Sequence, residues 1–350
     1  MNPVPVFRAI LRLFLLLTGL FLIFLLYAQM TMYKPPEQLE VFSSDRPDPL
    51  SRGVELSLMI WNLGYAGMGS DMDFFYDGGR LMRTSRQRTH ENLQGMMDVL
   101  ENHREMDFFL LQEVDYKSRR SYGIHMPDSI KEALPHHIQS FGINYQVRFV
   151  PVPLRNPMGR VNSGILTASR ATPAISSRFS FPGGYQWPVS LFNLQRCFLM
   201  NRYPMEGGGE LVVINTHNSA FDDGSLRYKQ MRFMEEIMLR EYDLGNYVIA
   251  GGDFNLSPPG FEPAFNHNIF DDKNLVFMPG DLLPGWQLVY DARVPTNRRA
   301  YIPYDPTITP TTLIDFYILS PNVEIVQVEG LHLDFLYTDH NPVIARVRLN

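Results

Sequence analysis

The sequence has almost no cysteine. Cys197 is the single one in 350 residues, so no internal disulfide can form and no thiolate zinc site can be built. A basic excess is missing too: 31 Lys and Arg face 37 Asp and Glu, a formal net charge of −6. Two of those cations, Arg8 and Arg12, fall in the first 28 residues, which hold no acid, leaving 29 cations against 37 acids in the rest. Proteins that neutralise many backbone phosphates carry a basic surplus over the contacting domain, so broad contact with long nucleic acid is disfavoured, while a local basic groove stays open. There is no internal repeat. With 45% hydrophobic and 19% charged residues, 24 Phe and 17 Tyr, fibrous and disordered classes are excluded and a large core can form.

What is present begins with a long apolar run. Residues 9–28, AILRLFLLLTGLFLIFLLYA, are apolar apart from Arg12 and Thr18. As a helix rising about 1.5 Å per residue they span about 30 Å, the thickness of a bilayer core. Arg12 lies near one end, where its long side chain can reach the interface. A cleaved signal peptide is the competing reading, with Ala28 as cleavage residue, but Leu26 stands where such a site wants a small side chain. No cysteine follows the run, which excludes a bacterial lipoprotein anchor. The expectation is a flank over residues 1–8, an uncleaved single-pass anchor in the cell membrane over 9–28, a tether over 29–53 rich in proline and charge, and one domain over 54–350. Arg8 and Arg12 on one side are matched by Lys34 and Arg46 on the other, and the short first flank favours the N-terminus inside with the domain extracytoplasmic.

Within the domain, apolar runs suited to buried strands end abruptly in acids, amides or histidine. They are ELSLMIWN to Asn62, MDFFLLQE to Glu113, GELVVINTH to His217, and NYVIAGGDFN to Asp253 and Asn255. LIDFYILS then holds Asp315, and FLYTDHNPVIARVRL carries Asp339 and His340 into a closing strand. Between the first two, Leu93, Met96, Met97 and Leu100 mark one face of a helix, with Ser85 or Thr89 as cap. A second helix opens at Ser225 and turns Leu226, Phe233, Met234, Ile237 and Met238 inward. Strands alternating with helices predict a layered α/β domain.

The ordered set WN, QE, NTH, GDFN, ID and TDHNPV resembles the endonuclease/exonuclease/phosphatase superfamily, specifically its deoxyribonuclease-like and sphingomyelinase-like metal-dependent phosphoesterases, over about residues 55–349. The resemblance implies a four-layer α/β/β/α sandwich of two packed mixed sheets, here behind a transmembrane helix. It implies that Asn62 and Glu113 hold a metal with Asp339 nearby. It makes His340 the general base, oriented by Asp315, and His217 a phosphate contact, while Asp253 and Asn255 position the nucleophile and bind the phosphoryl oxygen. Oxygen donors of this kind suit Mg²⁺, with Mn²⁺ possible, and the absence of a His or Cys cluster argues against zinc. Metal, base and oxyanion donors are what phosphate-ester hydrolysis needs.

Bland readings stand beside these. Asn62 could satisfy a turn backbone, and Asp315 could pair with an arginine. The other seven of nine histidines, including His136 and His137, read as surface or helix-end residues. Tyr65 to Arg80 is a long loop that could wall the substrate or merely pack as a lid. Lys117, Arg119 and Arg120 could meet substrate phosphate, with a solvated basic turn as the default reading, and Arg298 and Arg299 have the same status. The stretch FPGGYQWPVSLFNLQRCFLM could form a lipid-suited rim or a hairpin with a buried strand. The histidine in NTH points away from abasic-site repair enzymes. Asn255-Leu256-Ser257 is the only N-glycosylation sequon, and a glycan there would block the site, which points to a protein that is bacterial or never glycosylated.

The expected activity is hydrolysis of a phosphate ester, by a phosphodiesterase or phosphatase, on a lipid headgroup, nucleotide or nucleic acid. Nuclease activity is one alternative and a catalytically silent binding module the other. The membrane is a partner through the N-terminal helix, and no protein partner is implied.

Overall fold

The computed structural model describes residues 3–220, 222–265 and 275–350. Helix α1 (Pro3–Thr31) comes first, followed by β1 (Gln38–Ser43), β2 (Glu55–Asn62), α2 (Arg86–Asn102), β3 (Phe108–Asp115), α3 (Met126–Ala133), β4 (Ile138–Val150), β5 (Gly159–Ser169) and β6 (Ile175–Ser180). The second half contains β7 (Cys197–Pro204), β8 (Glu210–His217), α4 (Ser225–Asp243), β9 (Tyr247–Asp253), β10 (Gln287–Val289), β11 (Asn297–Arg298), β12 (Thr311–Thr312), β13 (Asp315–Leu319), β14 (Val323–Gly330) and β15 (Val343–Leu349).

Two mixed sheets form the centre. One runs β14-β15-β2-β3-β5-β4 and the other β1-β6-β7-β8-β9-β13-β10, while β11 and β12 make a separate ribbon. Each large sheet has a parallel pair, β2 with β3 and β8 with β9. Parallel neighbours need a crossover, which α2 and α4 supply. Alternation along the strands then builds the layers. In β2 and β3, Leu58, Ile60, Phe108 and Leu110 face the other sheet and join Val213, Ile249, Tyr317 and Leu319 between the sheets. Their neighbours Met59, Trp61, Phe109 and Leu111 face outward onto Met96 and Leu100 of α2 and Ile130 of α3. Helix α4 covers the second sheet with Met231, Met234 and Met238. Both faces of these strands are therefore buried, which is why they read as unbroken apolar runs. The result is the expected four-layer α/β/β/α sandwich.

Two local readings need correcting. The stretch read as a tether contains β1, an edge strand antiparallel to β6, because Leu39 and Val41 alternate with polar residues and Val41 packs on Ile165, Cys197 and Leu199. Helix α4 opens at Ser225 as expected, with Gly224 at the N-cap and Asp222 Oδ2 accepting from the backbone N–H of Leu226 at 2.9 Å. His137 is buried, not superficial: its Nε2 lies 2.8 Å from the Met106 carbonyl and its ring packs edge-on against Phe109. Ser85 caps α2 as anticipated, accepting from Arg88 N–H at 3.1 Å.

Helix α1 runs past both ends of the expected segment and is long and apolar enough to cross a membrane. Most of it is exposed, but its last turns pack on the domain, where Leu25 and Ala28 bury Leu191.

Candidate active site

The strand ends meet at one edge of the two sheets. Asn62, Glu113 and the segment leading into β15 come from the first sheet, and His217, Asp253 and Asp315 from the second. A cavity of about 420 Å³ opens there, lined by Asn62, Glu113, His217, Asp253, Asn255, Asp339 and His340. Asp315 lies behind it, joined to His340. All eight residues singled out in the sequence are thus brought to one place.

Local backbone features aim these side chains. At Glu113 strand β3 bulges against β5, with the register shifting between Leu111 and Val114, and Glu113 takes φ +54°. A bulge re-aims a side chain, and left-handed backbone at a non-glycine residue is strain held by its surroundings. Gly252 has φ +141°, and a Cβ there would stand 2.2 Å from the Thr216 carbonyl oxygen. At Gly251 a Cβ would meet Ile60 of the opposite sheet at 2.9 Å, so the glycine pair lets β9 run close under the site. Below it, Gln112 Nε2 donates to Asn215 Oδ1 across the sheets at 2.7 Å.

His340 is the most constrained group. Its Nδ1 is 2.8 Å from Asp315 Oδ2, and Trp61 Nε1 donates to its carbonyl at 3.0 Å. Nε2 lies 2.9 Å from Asn297 Nδ2 and 3.8 Å from Asp253 Oδ2. Burial alone would lower its pKa, but the Asp315, Asp253 and Asp339 carboxylates outweigh it and raise the imidazole to about 10. Burial and the Asp315 charge raise Asp253 to about 6, and burial with the nearby Glu113 raises Asp339 to about 7. Asn62 Nδ2 donates to Asp253 Oδ2 at 3.0 Å, tying the two sheets together. His217 is 3.4 Å from the same oxygen, and burial, Arg196, His340 and Arg120 push its pKa well below the usual value, leaving it neutral at pH 7. Asn255 is held by its side-chain amide, which donates to the Asn218 carbonyl at 3.1 Å.

A divalent cation fits the cavity's donor set. Glu113 and Asp339 offer carboxylates and Asn62 an amide oxygen, an all-oxygen set of the kind hard cations take. The mutual repulsion that lifts Asp339 is what a bound positive charge relieves. Asp253, Asp315 and His340 also gather closely enough to ligate an ion. Asp315 and His340, however, are hydrogen-bonded to each other, and Asp253 accepts from Asn62 Nδ2 and from the Asn255 backbone N–H.

Several cavity residues were read otherwise from sequence. Arg120 is buried, pairs with Asp115 at 2.8 Å, stacks 3.8 Å over Tyr65 and stands 4.0 Å from Glu113, whereas Lys117 and Arg119 are exposed. Arg298 is buried and donates to the Gly69 carbonyl at 2.7 Å. The loop after Asn62 lines the cavity through Tyr65, Met68, Phe74, Tyr76 and Asp77. Arg196, Asn297 and Tyr145 carried no sequence signal. The Nη1 of Arg196 is buried with no hydrogen-bond partner among the described residues. Arg196 also lines the cavity.

Two packed mixed sheets with acids, amides and histidines at one edge define a four-layer α/β sandwich with a polar site at that edge. The sequence matches the model of the Endonuclease/Exonuclease/phosphatase family over residues 59–347, and the chain belongs to that family. No curated protein matches it. Among solved structures it is similar to the endonuclease/exonuclease/phosphatase from Beutenbergia cavernae DSM 12333, at 19% identity and TM-score 0.56, covering 85% of this chain and 72% of that one. It is also similar to D. rerio TDP2 complexed with single strand DNA product, at 15% identity and TM-score 0.52, over 84% and 99% of the chains. ANGEL2, a 2',3'-cyclic phosphatase, in complex with adenosine-2',3'-vanadate, aligns at 16% identity and TM-score 0.54, over 84% and 96%. At such identities these likenesses establish the fold alone.

Proposed function

We propose that the chain is a divalent-metal-dependent hydrolase of phosphate esters, held at the cell membrane by α1 with its domain on the extracytoplasmic side. The observation that carries this reading is the Asp315–His340 pair, 2.8 Å apart, in a cavity that also holds Glu113 and Asp339. Asp315 fixes the ring so that Nε2 faces the cavity, and Asn297 steadies that nitrogen. In the reaction the oxygen of water adds to phosphorus as the P–O ester bond breaks, one water proton passes to Nε2 of His340, the departing alkoxide takes a proton from solvent, and His340 returns its own to solvent, so the net change is water plus ester to acid plus alcohol. Water is the only co-reactant. For His340 to accept that proton it must be neutral, and a cation held by Glu113 and Asp339 would offset the carboxylates that hold it protonated. A bound Mg²⁺ or Mn²⁺ supplies Lewis-acid polarisation of the phosphoryl oxygen. His217, neutral and buried, and Asn255 donate to the phosphoryl oxygens, while Asp253 orients the water.

The test is hydrolysis of bis-p-nitrophenyl phosphate, p-nitrophenyl phosphate, plasmid DNA, RNA and sphingomyelin by the purified chain with Mg²⁺, Mn²⁺ or EDTA. Cleavage of any class that EDTA abolishes supports the reading. Silence across the panel from folded, metal-loaded protein refutes it in favour of a binding module.

A further inference from the structure

Two loops connect the cavity to α1. The first follows Tyr145 through β4 to Met158, and the second runs from Gly183 to Leu194. Tyr145, Met158, Gly183, Gly184, Tyr185, Asn193 and Leu194 line the cavity, so each loop has one side in the site. The other side meets the helix: Phe24 stacks on Phe192 with ring centroids 5.5 Å apart, stands edge-on to Phe149 at 6.2 Å, and Leu25 and Ala28 bury Leu191. Tyr145 ties wall to patch, its hydroxyl donating to the Phe192 carbonyl at 2.9 Å.

Beside these contacts the same loops expose a run of apolar side chains: Leu154 at 88%, Trp187 at 61%, Val189 at 51% and Val152 at 40%. Burying such groups in water-free surroundings is favourable, so four exposed apolar side chains on two loops that meet at the Tyr145–Phe192 hydrogen bond favour an interaction surface. The charge is distinctive as well. Residues 144–160 and 182–196 contain Arg148, Arg155, Arg160 and Arg196 and not one acid, in a chain whose formal net charge is −6. Arg148 and Arg155 are exposed.

The contact points fix the depth. Phe24, Leu25 and Ala28 lie inside the apolar run, within about 10 Å of the end of α1 at a rise of about 1.5 Å per residue. With α1 in a bilayer, whatever packs on those residues sits at the bilayer's own surface. Tryptophan and apolar side chains beside arginine are what a lipid–water interface with anionic headgroups accepts.

We propose that residues 148–158 and 184–194 form a bilayer-docking rim, and that the cavity they border takes a phosphate ester carried by a lipid of the same membrane. This rests on the hydrolase reading above and names its substrate class.

The experiment uses the full chain reconstituted into vesicles of phosphatidylcholine and phosphatidylglycerol. One arm compares Mg²⁺-dependent headgroup release from those vesicle lipids with hydrolysis of soluble bis-p-nitrophenyl phosphate, for wild type and for a chain carrying Leu154→Ser, Trp187→Ser and Val189→Ser. The expected result is headgroup release at least tenfold lower in the variant, with the soluble ester hydrolysed within twofold of wild type. A second arm places brominated acyl chains in the vesicles and reads Trp187 emission as the difference between wild type and Trp187→Phe. Trp61 is buried, and quenching of the difference signal by more than half is expected. Unquenched Trp187, or headgroup release unchanged in the variant, overturns the proposal. Hydrolysis of the soluble ester with none of any vesicle lipid overturns the lipid assignment while the hydrolase reading stands. No EDTA-sensitive hydrolysis of either ester is the failure of the hydrolase reading itself.

Discussion

At the scale of single residues, the site is a balance of buried charges. Asp315 is coupled to His340 at 2.8 Å, and its other carboxylate oxygen, Oδ1, has no hydrogen-bond partner among the described residues. A carboxylate so placed is costly unless its one partner is charged or donating. His340→Ala is expected to lower kcat on a soluble phosphodiester about 10²- to 10⁴-fold, the usual size of a general acid–base contribution, and Asp315→Asn to follow in the same direction. Wild-type turnover in His340→Ala would remove it from the base role. Glu113→Gln should raise the Mg²⁺ concentration needed for half-maximal rate at least tenfold, read by metal titration of the same assay. Cys197 is a different case. Burial lifts its thiol from 9.0 to about 11, so it is protonated and enclosed at pH 8. Iodoacetamide should leave the native chain unlabelled and label it fully in denaturant. The raised value is a stability contribution present below about pH 9 and lost between about 9 and 11, as the unfolded chain ionises first.

At the scale of elements, the strand ends matter more than the strands. The runs ending at Asn62, Glu113, His217 and Asp253 were legible because strands buried on both faces leave few polar letters, and those few fall where the chain leaves the core. Asp315 and His340 were legible for the same reason. Arg120, Asn297 and Arg196 were not. Their positions come from turns and from the pairing of β11 with the segment before β15, which no period in the sequence records. The bulge at Glu113 was equally hidden, since it depends on how β5 pairs with β3. Gly252→Ala tests the close run of β9: a Cβ 2.2 Å from the Thr216 carbonyl, at positive φ, should cost about 3 kcal/mol or more, measured by chemical denaturation. Strand β1 was hidden by its prolines and charges. A fragment beginning at residue 37 should melt at least 4 °C above one beginning at residue 50, because the second exposes Ile165, Leu199 and the edge of β6.

At the scale of the whole molecule, an acidic domain carries two acid-free loops beside its cavity, and an apolar helix packs on one of them at Leu191. Composition alone points away from long nucleic acid, while exposed Arg148 and Arg155 put positive charge on a loop that packs on α1, the local charge the proposed anionic-lipid contact needs in a chain of net charge −6. Upon cell fractionation the chain is expected in the membrane pellet and resistant to extraction by high salt, but released by detergent. Recovery in the soluble fraction would argue for a cleaved leader.

Only six residues separate the end of α1 at Thr31 from Gln38, where β1 is already locked into the sheet. Seven Cα-to-Cα steps of that length reach at most roughly 25 Å. With α1 in a membrane and a lipid-borne ester as substrate, as proposed above, a leash so short would confine the search for that substrate to two dimensions. Encounters would then be set by lateral diffusion and by how crowded the leaflet is, so turnover should follow the mole fraction of target in the surface and be indifferent to the bulk volume above it.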